Sequence, residues 1–452
     1  MSRELHLTSG DIAPQLVRLC LPLLAANVLQ QLYNIINSLV VTHYIGGSAF
    51  AALGVAESVM NLFIYIITGA CMGASVLIAQ FYGEENYPRL RQQLYVSAVL
   101  IGGCTLGAVL LGQLFLPQLL SVIQTPPELM SDASVYLRII LLGMVFTFTY
   151  NYLASTLRAL GDTKAALYFL LISLGYNLGA AWLLVAVLGL GVTGTALATA
   201  SAQLLSSLLC IFYIRARRPF LKIQREDMRM DRILIHRTSS YAAVAALQQS
   251  SLYLGKLMVQ GAVNGISLVS TAPISAFTAA TRIENFVLAF GTSGCESIAI
   301  FVAQNKGAGQ DRRALQGFAR GGALVILVGV AFSVLLHLGA APFSAVFLQK
   351  TDPGTALCIA YLKLVSWFYF LSFFGNAFVG WFRGTGRMNI TFWGTTIQIA
   401  VRVIGTYLLV HLMGLDAVAL STGLGWVVIA LFQTIVFLLE RKGIWPKPNP
   451  LV

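Results

Sequence analysis

Among the ionisable side chains inside long apolar runs of this sequence, six lie deep enough to bear on function: Glu57, Lys256, Arg282, Glu284, Glu296 and Arg402. A charge at the centre of a lipid bilayer costs about 2.5–3.5 kcal/mol on insertion scales. Such residues either pair with one another between helices or handle ions. A carboxyl group in this setting can load and release a proton, because burial favours the neutral acid and a nearby cation favours the carboxylate. Glu284 is the leading candidate for such a switch, with Lys256 or Arg402 as its alternate partner. A rearrangement that exchanges the partner would load or release the proton, and a cationic substrate competing for the same carboxylate would give antiport. Glu57 is the second candidate, placed to attract cations at the outer mouth.

Helical spacing separates these residues. Glu57 lies about eight residues into its apolar run, or ~12 Å, and Glu284 about fourteen, or ~21 Å. Arg282 is two positions from Glu284, ~200° around a helix, so the two do not share a face. Glu296 is ~18 Å further along and reads as a packing or inner-gate residue. Amides accompany the charges. Asn61 and Asn285 sit beside the acids, Gln30, Gln31, Tyr33, Asn34 and Asn37 cluster in the first run, and Gln248 and Gln249 echo that pair in the seventh. At this depth an amide either joins helices or contacts substrate, and Asn37 and Gln249 are the candidates for contact. Pro22 removes a backbone hydrogen bond from the first run, which makes it either a hinge or a static kink.

The elements that must position these groups follow from composition. Of 452 residues, 57% are hydrophobic and only 10% charged, too few charges to coat a water-facing surface. The expected fold is an all-α integral membrane protein. Twelve runs are long enough to span, at about 15–42, 49–81, 91–117, 132–156, 164–188, 192–214, 236–261, 270–304, 314–340, 355–382, 389–413 and 416–439. Lys and Arg gather in alternate connections, which predicts cytoplasmic N- and C-termini in a cell membrane. The net charge of +12 is spread over these short clusters, not gathered into a patch for nucleic acid. The six cysteines form no CxxC pair and read as small buried hydrophobes. No P-loop, HExxH or metal-ligand cluster is present, which argues against ATP-driven transport and against an enzyme. The expectation is no cofactor and no metal.

The two halves resemble each other at a shift of 223–225 residues. Ala79, Gln80 and Gly83 match Ala303, Gln304 and Gly307; Asn61 and Cys71 match Asn285 and Cys295; Arg158 and Gly161 match Arg383 and Gly386; Gly191 and Thr199 match Gly414 and Thr422. In this frame Glu284 matches Met60, one turn from Glu57 on the same face. The expected organisation is an N-lobe over 1–214, a cytoplasmic linker over 215–237 and a C-lobe over 238–452. Six spans per repeat give parallel repeats, two pseudo-symmetric six-helix lobes around a central cleft, with a substrate site between them. The charged linker reads as a solvated connection or a surface amphipathic helix, with anionic-lipid contact as the alternative.

Several stretches resemble the multidrug and toxic compound extrusion (MATE) transporters. They are QQLYNIINSLVV at 30–41, AALGVA at 51–56, IAQFYGEEN at 78–86, VAQNKGAGQ at 302–310 and STLRALGDTK at 155–164. TRIENF at 281–286 resembles the DinF-like branch. The resemblance implies an antiporter that exports drug-like, often cationic small molecules by alternating access, coupled to protons or sodium, with membrane lipids and small-molecule substrates as its partners. It is expected to act as a monomer. The acid of the family's first helix falls at Asn37, and a second family acid falls at Ala181. The polar partners of that pocket are implied at Asn177 and Thr199. With its titratable groups absent, the N-lobe proton mechanism is not expected to operate as in the family. A lipid-linked oligosaccharide flippase of the related superfamily is the alternative reading.

Overall fold

A computed structural model describes residues 7–45, 47–122, 125–266, 270–349 and 351–444, and the side chains of residues 34–52, 55 and 122 lie outside the described set. Fourteen α-helices follow in chain order: α1 (Ile12–Ile45), α2 (Gly47–Gly83), α3 (Tyr87–Leu114), α4 (Leu116–Val122), α5 (Met130–Ala159), α6 (Thr163–Ala181, continued by a π-helical stretch over Trp182–Val187), α7 (Gly191–Arg217), α8 (Arg232–Gly265), α9 (Ala272–Gly307), α10 (Asp311–Ala345), α11 (Gly354–Ser366), α12 (Tyr369–Gly384), α13 (Met388–Met413) and α14 (Leu415–Arg441). The rest of the described chain contains turns and no strand.

Among the described residues, ten helices are long and apolar enough to cross a membrane, or eleven when α11 and α12, bent by 53°, count as one span. The remaining expected span, 236–261, is helical along its whole length as α8. It does not qualify by apolarity, because Ser239, Ser240, Gln248, Gln249, Ser250, Ser251 and Lys256 dilute it. Apolar side chains on the outward faces, such as Leu110, Phe212, Leu327 and Leu408, are exposed, as lipid-facing positions of such helices must be. Cys104 is also exposed on α3, unlike the buried Cys71, Cys210, Cys295 and Cys358. It therefore departs from the expected burial.

Packing groups the chain into two compact units, one containing Ala25–Ala246 and the other residues 7–24 and 247–444. Both boundaries fall inside helices. One cuts α1 two residues beyond Pro22, and the other cuts α8. The connector after α7 belongs wholly to the first unit.

In that first unit, α5 packs against α2 and α7, and the lower part of α8 lies close against α2. A Cβ on Gly69 would stand 2.6 Å from the Ala245 carbonyl, so only glycine allows this approach. The connector is exposed over most of its length and does not form an amphipathic helix. It forms two 3₁₀ turns, Pro219–Leu221 and Arg225–Asp227. Phe220 packs on the rings of Tyr82 and Tyr87. Asp227 pairs with Arg91 at 2.7 Å, and Asp231 with Arg89 at 3.5 Å. The connector is thus docked through its acids and Phe220, while Arg215, Arg217, Lys222, Arg225 and Arg229 stay exposed.

The second unit is centred on α9, which packs against α10, α11 and α12. A Cβ on Gly380 or Gly384 would lie 2.7 Å from the carbonyls of Cys295 and Ala299 respectively, so α12 rides directly on the α9 backbone. The foot of α1 is fastened here. Arg313 donates to the carbonyls of Leu7, Ser9 and Gly10 and to Oε1 of Gln15.

The repeat is visible in backbone geometry. Gly161 and Gly386, matched at a shift of 225, both take positive φ, at 86° and 80°. Glu85, the mate of Gly309, is the single non-glycine residue with positive φ among the described residues. The loops so formed end in ion pairs of opposite polarity. Asp162 pairs with Arg218 at 2.7 Å in the first unit, and Arg387 pairs with Glu440 at 2.6 Å in the second.

Candidate coupling and substrate sites

Glu284 is only 5% exposed on α9. Two hydroxyls from a broken helix meet it: Tyr361 on α11 donates to Oε1 at 3.3 Å, and Tyr369 on α12 at 3.2 Å. The break is what aims both rings at one carboxylate. The backbone groups it frees are met by α10, where Ser333 accepts from Phe370 N at 3.2 Å and His337 Nδ1 lies 3.3 Å from the Lys363 carbonyl oxygen. Trp426 on α14 packs over Tyr369, with ring centroids 5.4 Å apart. Arg402 on α13 and Lys256 on α8 lie within electrostatic reach of Glu284, yet neither forms a salt bridge with it. Lys256 is exposed and Arg402 half-buried. Arg402 Nε is buried without a hydrogen-bond partner.

The level of these side chains is set by α8 and α13, which run side by side. Gln248 Nε2 donates to Thr395 Oγ1 at 2.9 Å, Ile399 closes on Gly255, and Tyr407 donates to the Met258 carbonyl at 3.2 Å. Gln248 is therefore a buried strut between helices. Gln249, the expected contact residue, is half-buried beside it. Arg282 and Phe286 are exposed on the face of α9 away from Glu284, as the helical angle requires.

In the first unit, Tyr33 donates to Asn177 Oδ1 at 2.5 Å, and Asn177 Nδ2 donates to Thr199 Oγ1 at 3.5 Å. Three expected or neighbouring polar residues are thus joined in one chain across α1, α6 and α7. Glu57 is half-buried on α2, within electrostatic reach of Tyr33 and Tyr136. Asn61 and Asn285 are half-buried. Asn37 lies on α1, but its side chain is outside the described set. Pro22 is buried within an unbroken α1. Among the described residues, no group of three His, Cys, Asp or Glu is placed to hold a metal.

The tyrosines are the residues missed by reading the sequence, and the repeat frame holds the signal that finds them. At a shift of 225, Tyr136 matches Tyr361 and Asn177 matches Arg402. Tyr136 Oη lies 3.9 Å from Met60 Sδ, the counterpart of Tyr361 on Glu284. The set Met60, Tyr136, Asn177 and Thr199 in one unit therefore corresponds to Glu284, Tyr361, Arg402 and Thr422 in the other. The second unit carries a carboxylate and a guanidinium where the first carries a thioether and an amide.

A repeated bundle of membrane-length helices, with a carboxylate and a guanidinium in one unit where the other has a thioether and an amide, fits a membrane transport protein. The MatE family model matches residues 22–183 and 245–408, one stretch in each repeat. The chain belongs to this family of multidrug and toxic compound extrusion transporters. It is 26% identical over 450 residues, 97% of each chain, to the probable multidrug resistance protein YpnP of Bacillus subtilis (strain 168). It is 29% identical over 420 residues, 89% of this chain and 88% of the relative, to the probable multidrug resistance protein YoeA of the same organism. Its fold matches the outward-facing conformation of a multidrug resistance MATE transporter of the MOP superfamily with a TM-score of 0.90, covering 99% of each chain at 20% identity.

Proposed function

We propose that this protein is a DinF-like, cation-coupled antiporter that exports drug-like small molecules by alternating access, with Glu284 as its coupling group. The observation that carries the reading is the Glu284 cage. A carboxyl group is withdrawn from solvent, held by two tyrosine hydroxyls, and set near two cations without a salt bridge to either. A carboxylate accepts from both hydroxyls, and a small rearrangement of the bent α11–α12 pair removes them. Loss of those donors favours the neutral acid, and their return, with Arg402 close, favours the carboxylate.

Substrate that is cationic competes with the proton for the same negative charge, which makes the exchange obligatory. Asn177, Thr199, Asn61, Asn285, Gln249 and Asn37 are assigned as substrate contacts, Glu57 as the outer attractor and Pro22 as the hinge of α1. In this reading the termini and the cation-rich connections are cytoplasmic, no cofactor is required, and the transporter works as a monomer in the cell membrane.

The test is dye efflux from proteoliposomes under proton and sodium gradients imposed separately. Proton-driven efflux is expected from the wild type and to fall at least about tenfold in Glu284→Gln, whose amide cannot titrate. Full proton-driven efflux by that variant would overturn the assignment.

A further inference from the structure

Two buried hydroxyls, Thr406 on α13 and Ser421 on α14, have no use in the coupling scheme, and they lie on the helices next to a guanidinium that is itself incompletely bonded. Arg402 Nε is buried without a partner. Thr406, one turn further along α13, and Ser421, on α14 against Gly405, are both 0% exposed. Neither hydroxyl finds a hydrogen-bond acceptor, whereas many helical Ser and Thr in the chain donate to the carbonyl four residues back, as Thr422 does to Val418; Thr281 and Thr396 are two other helical hydroxyls buried without a partner. An unsatisfied buried hydroxyl costs about 1–3 kcal/mol, so a pair of them at one level of two neighbouring helices demands a reason.

The repeat shows that packing is not the reason. Thr406 matches Ala181 at a shift of 225, and Ser421 matches Ala198 at a shift of 223. Both alanines are buried in the first unit. The same positions thus pack well without a hydroxyl. The hydroxyls occur only in the repeat that also has arginine where the other has Asn177. Guanidinium and hydroxyls come together as a set, and every member offers a proton to hydrogen-bond.

Charge points the same way. Two cations, Arg402 and Lys256, lie in reach of one carboxylate, so the region is positive even when Glu284 is ionised. When Glu284 is protonated the excess doubles, at a depth where uncompensated charge is costly.

We infer that Arg402, Thr406 and Ser421 form a binding site for a small monovalent anion of the halide class, which replaces the Glu284 carboxylate as the counter-charge of Arg402. One guanidinium and two fully buried hydroxyls suit a single small charge, not a bulky dianion. Filling of this site makes the protonated state electroneutral with respect to Arg402. Only the competition with Glu284 rests on the coupling role proposed above; the site itself rests on Arg402 and the two hydroxyls.

Equilibrium binding of radiolabelled chloride to the purified full-length protein, at constant ionic strength with gluconate as the replacement anion, tests this without any gradient. Saturable binding is expected. Thr406→Ala combined with Ser421→Ala reproduces the alanines of the first repeat, so the fold tolerates it, and it should weaken binding at least about tenfold. Arg402→Gln should abolish binding, and Glu284→Gln should tighten it. Absence of saturable chloride binding, or wild-type affinity in the double alanine variant, would overturn the site. Chloride binding that survives in a Glu284→Gln protein with unchanged proton-driven efflux would keep the anion site and sink the coupling role instead.

Discussion

At the scale of single residues, the contrast between Met60 and Glu284 is the most informative feature. Each faces the hydroxyl of a matched tyrosine, Tyr136 or Tyr361, but only the second can exchange a proton. Removing a donor from a buried carboxylate is expected to disturb coupling, while removing one from a thioether is not. Tyr361→Phe and Tyr369→Phe should each slow proton-driven dye efflux about tenfold, the effect of one hydrogen bond to a charged group. Tyr136→Phe should leave the rate within about twofold. Efflux assays on the three variants in parallel check the ranking, and an equal loss in all three would contradict it. The same comparison explains why the sequence pointed to Glu284 but not to its cage. An isolated acid in an apolar run is conspicuous, whereas aromatic residues are common in membrane helices and gain meaning only from what they touch.

At the scale of elements, helix contacts are set by small residues and by breaks. Gly380 and Gly384 let α12 lie on the carbonyls of α9, the close packing by which membrane helices associate. Gly384→Ala should destabilise the protein by about 1–3 kcal/mol through overpacking. Gly103→Ala on α3, where a Cβ meets nothing within 4 Å, should be neutral or slightly stabilising. Thermal unfolding of the purified variants separates the two cases. The break between α11 and α12 follows a different logic. The matched α5 is continuous over Met130–Ala159, so the register of the repeat survives while the helix path differs. Tyr369, just beyond the break, reaches Glu284, and its mate at a shift of 225 is Met144. The bend therefore coincides with the charged site.

At the scale of the whole molecule, the repeat preserves positions more strictly than it preserves charge. The loop after the fourth span of each half is clasped to the end of its last helix, by Asp162 with Arg218 in one and by Arg387 with Glu440 in the other. These side chains keep 11–15% of their surface in contact with solvent, so the cost of breaking a pair is below that of a fully buried one. Asp162→Ala is expected to destabilise by about 2 kcal/mol, through loss of the ion pair with Arg218, the hydrogen bond from Tyr213 and the N-cap of α6. The charge-reversed pair Asp162→Arg with Arg218→Glu, which copies the polarity of the second unit, should recover only the ion-pair part of that loss, because arginine cannot accept from Ala165 N or Tyr213 Oη. Unfolding midpoints of the single and double variants decide the point, and a double variant no more stable than Asp162→Ala would refute it.

Composition and periodicity were enough to establish a helical membrane protein with an internal repeat, since these depend on how apolar each stretch is and on nothing distant from it. The family resemblance was legible for the same reason, being carried by local stretches such as TRIENF and STLRALGDTK. The tertiary structure decided what no local signal encodes. It divided α1 beyond Pro22 and α8 near its middle between two packing units, docked the basic connector through ion pairs, and made Gln248 a strut beside Gln249. Above all, it brought Tyr361, Tyr369 and Arg402 to Glu284 from three helices distant in sequence. Apolarity says which segments enter the bilayer, but which polar side chains share a neighbourhood depends on how helices cross and where they break, and those are set by contacts between segments far apart along the chain.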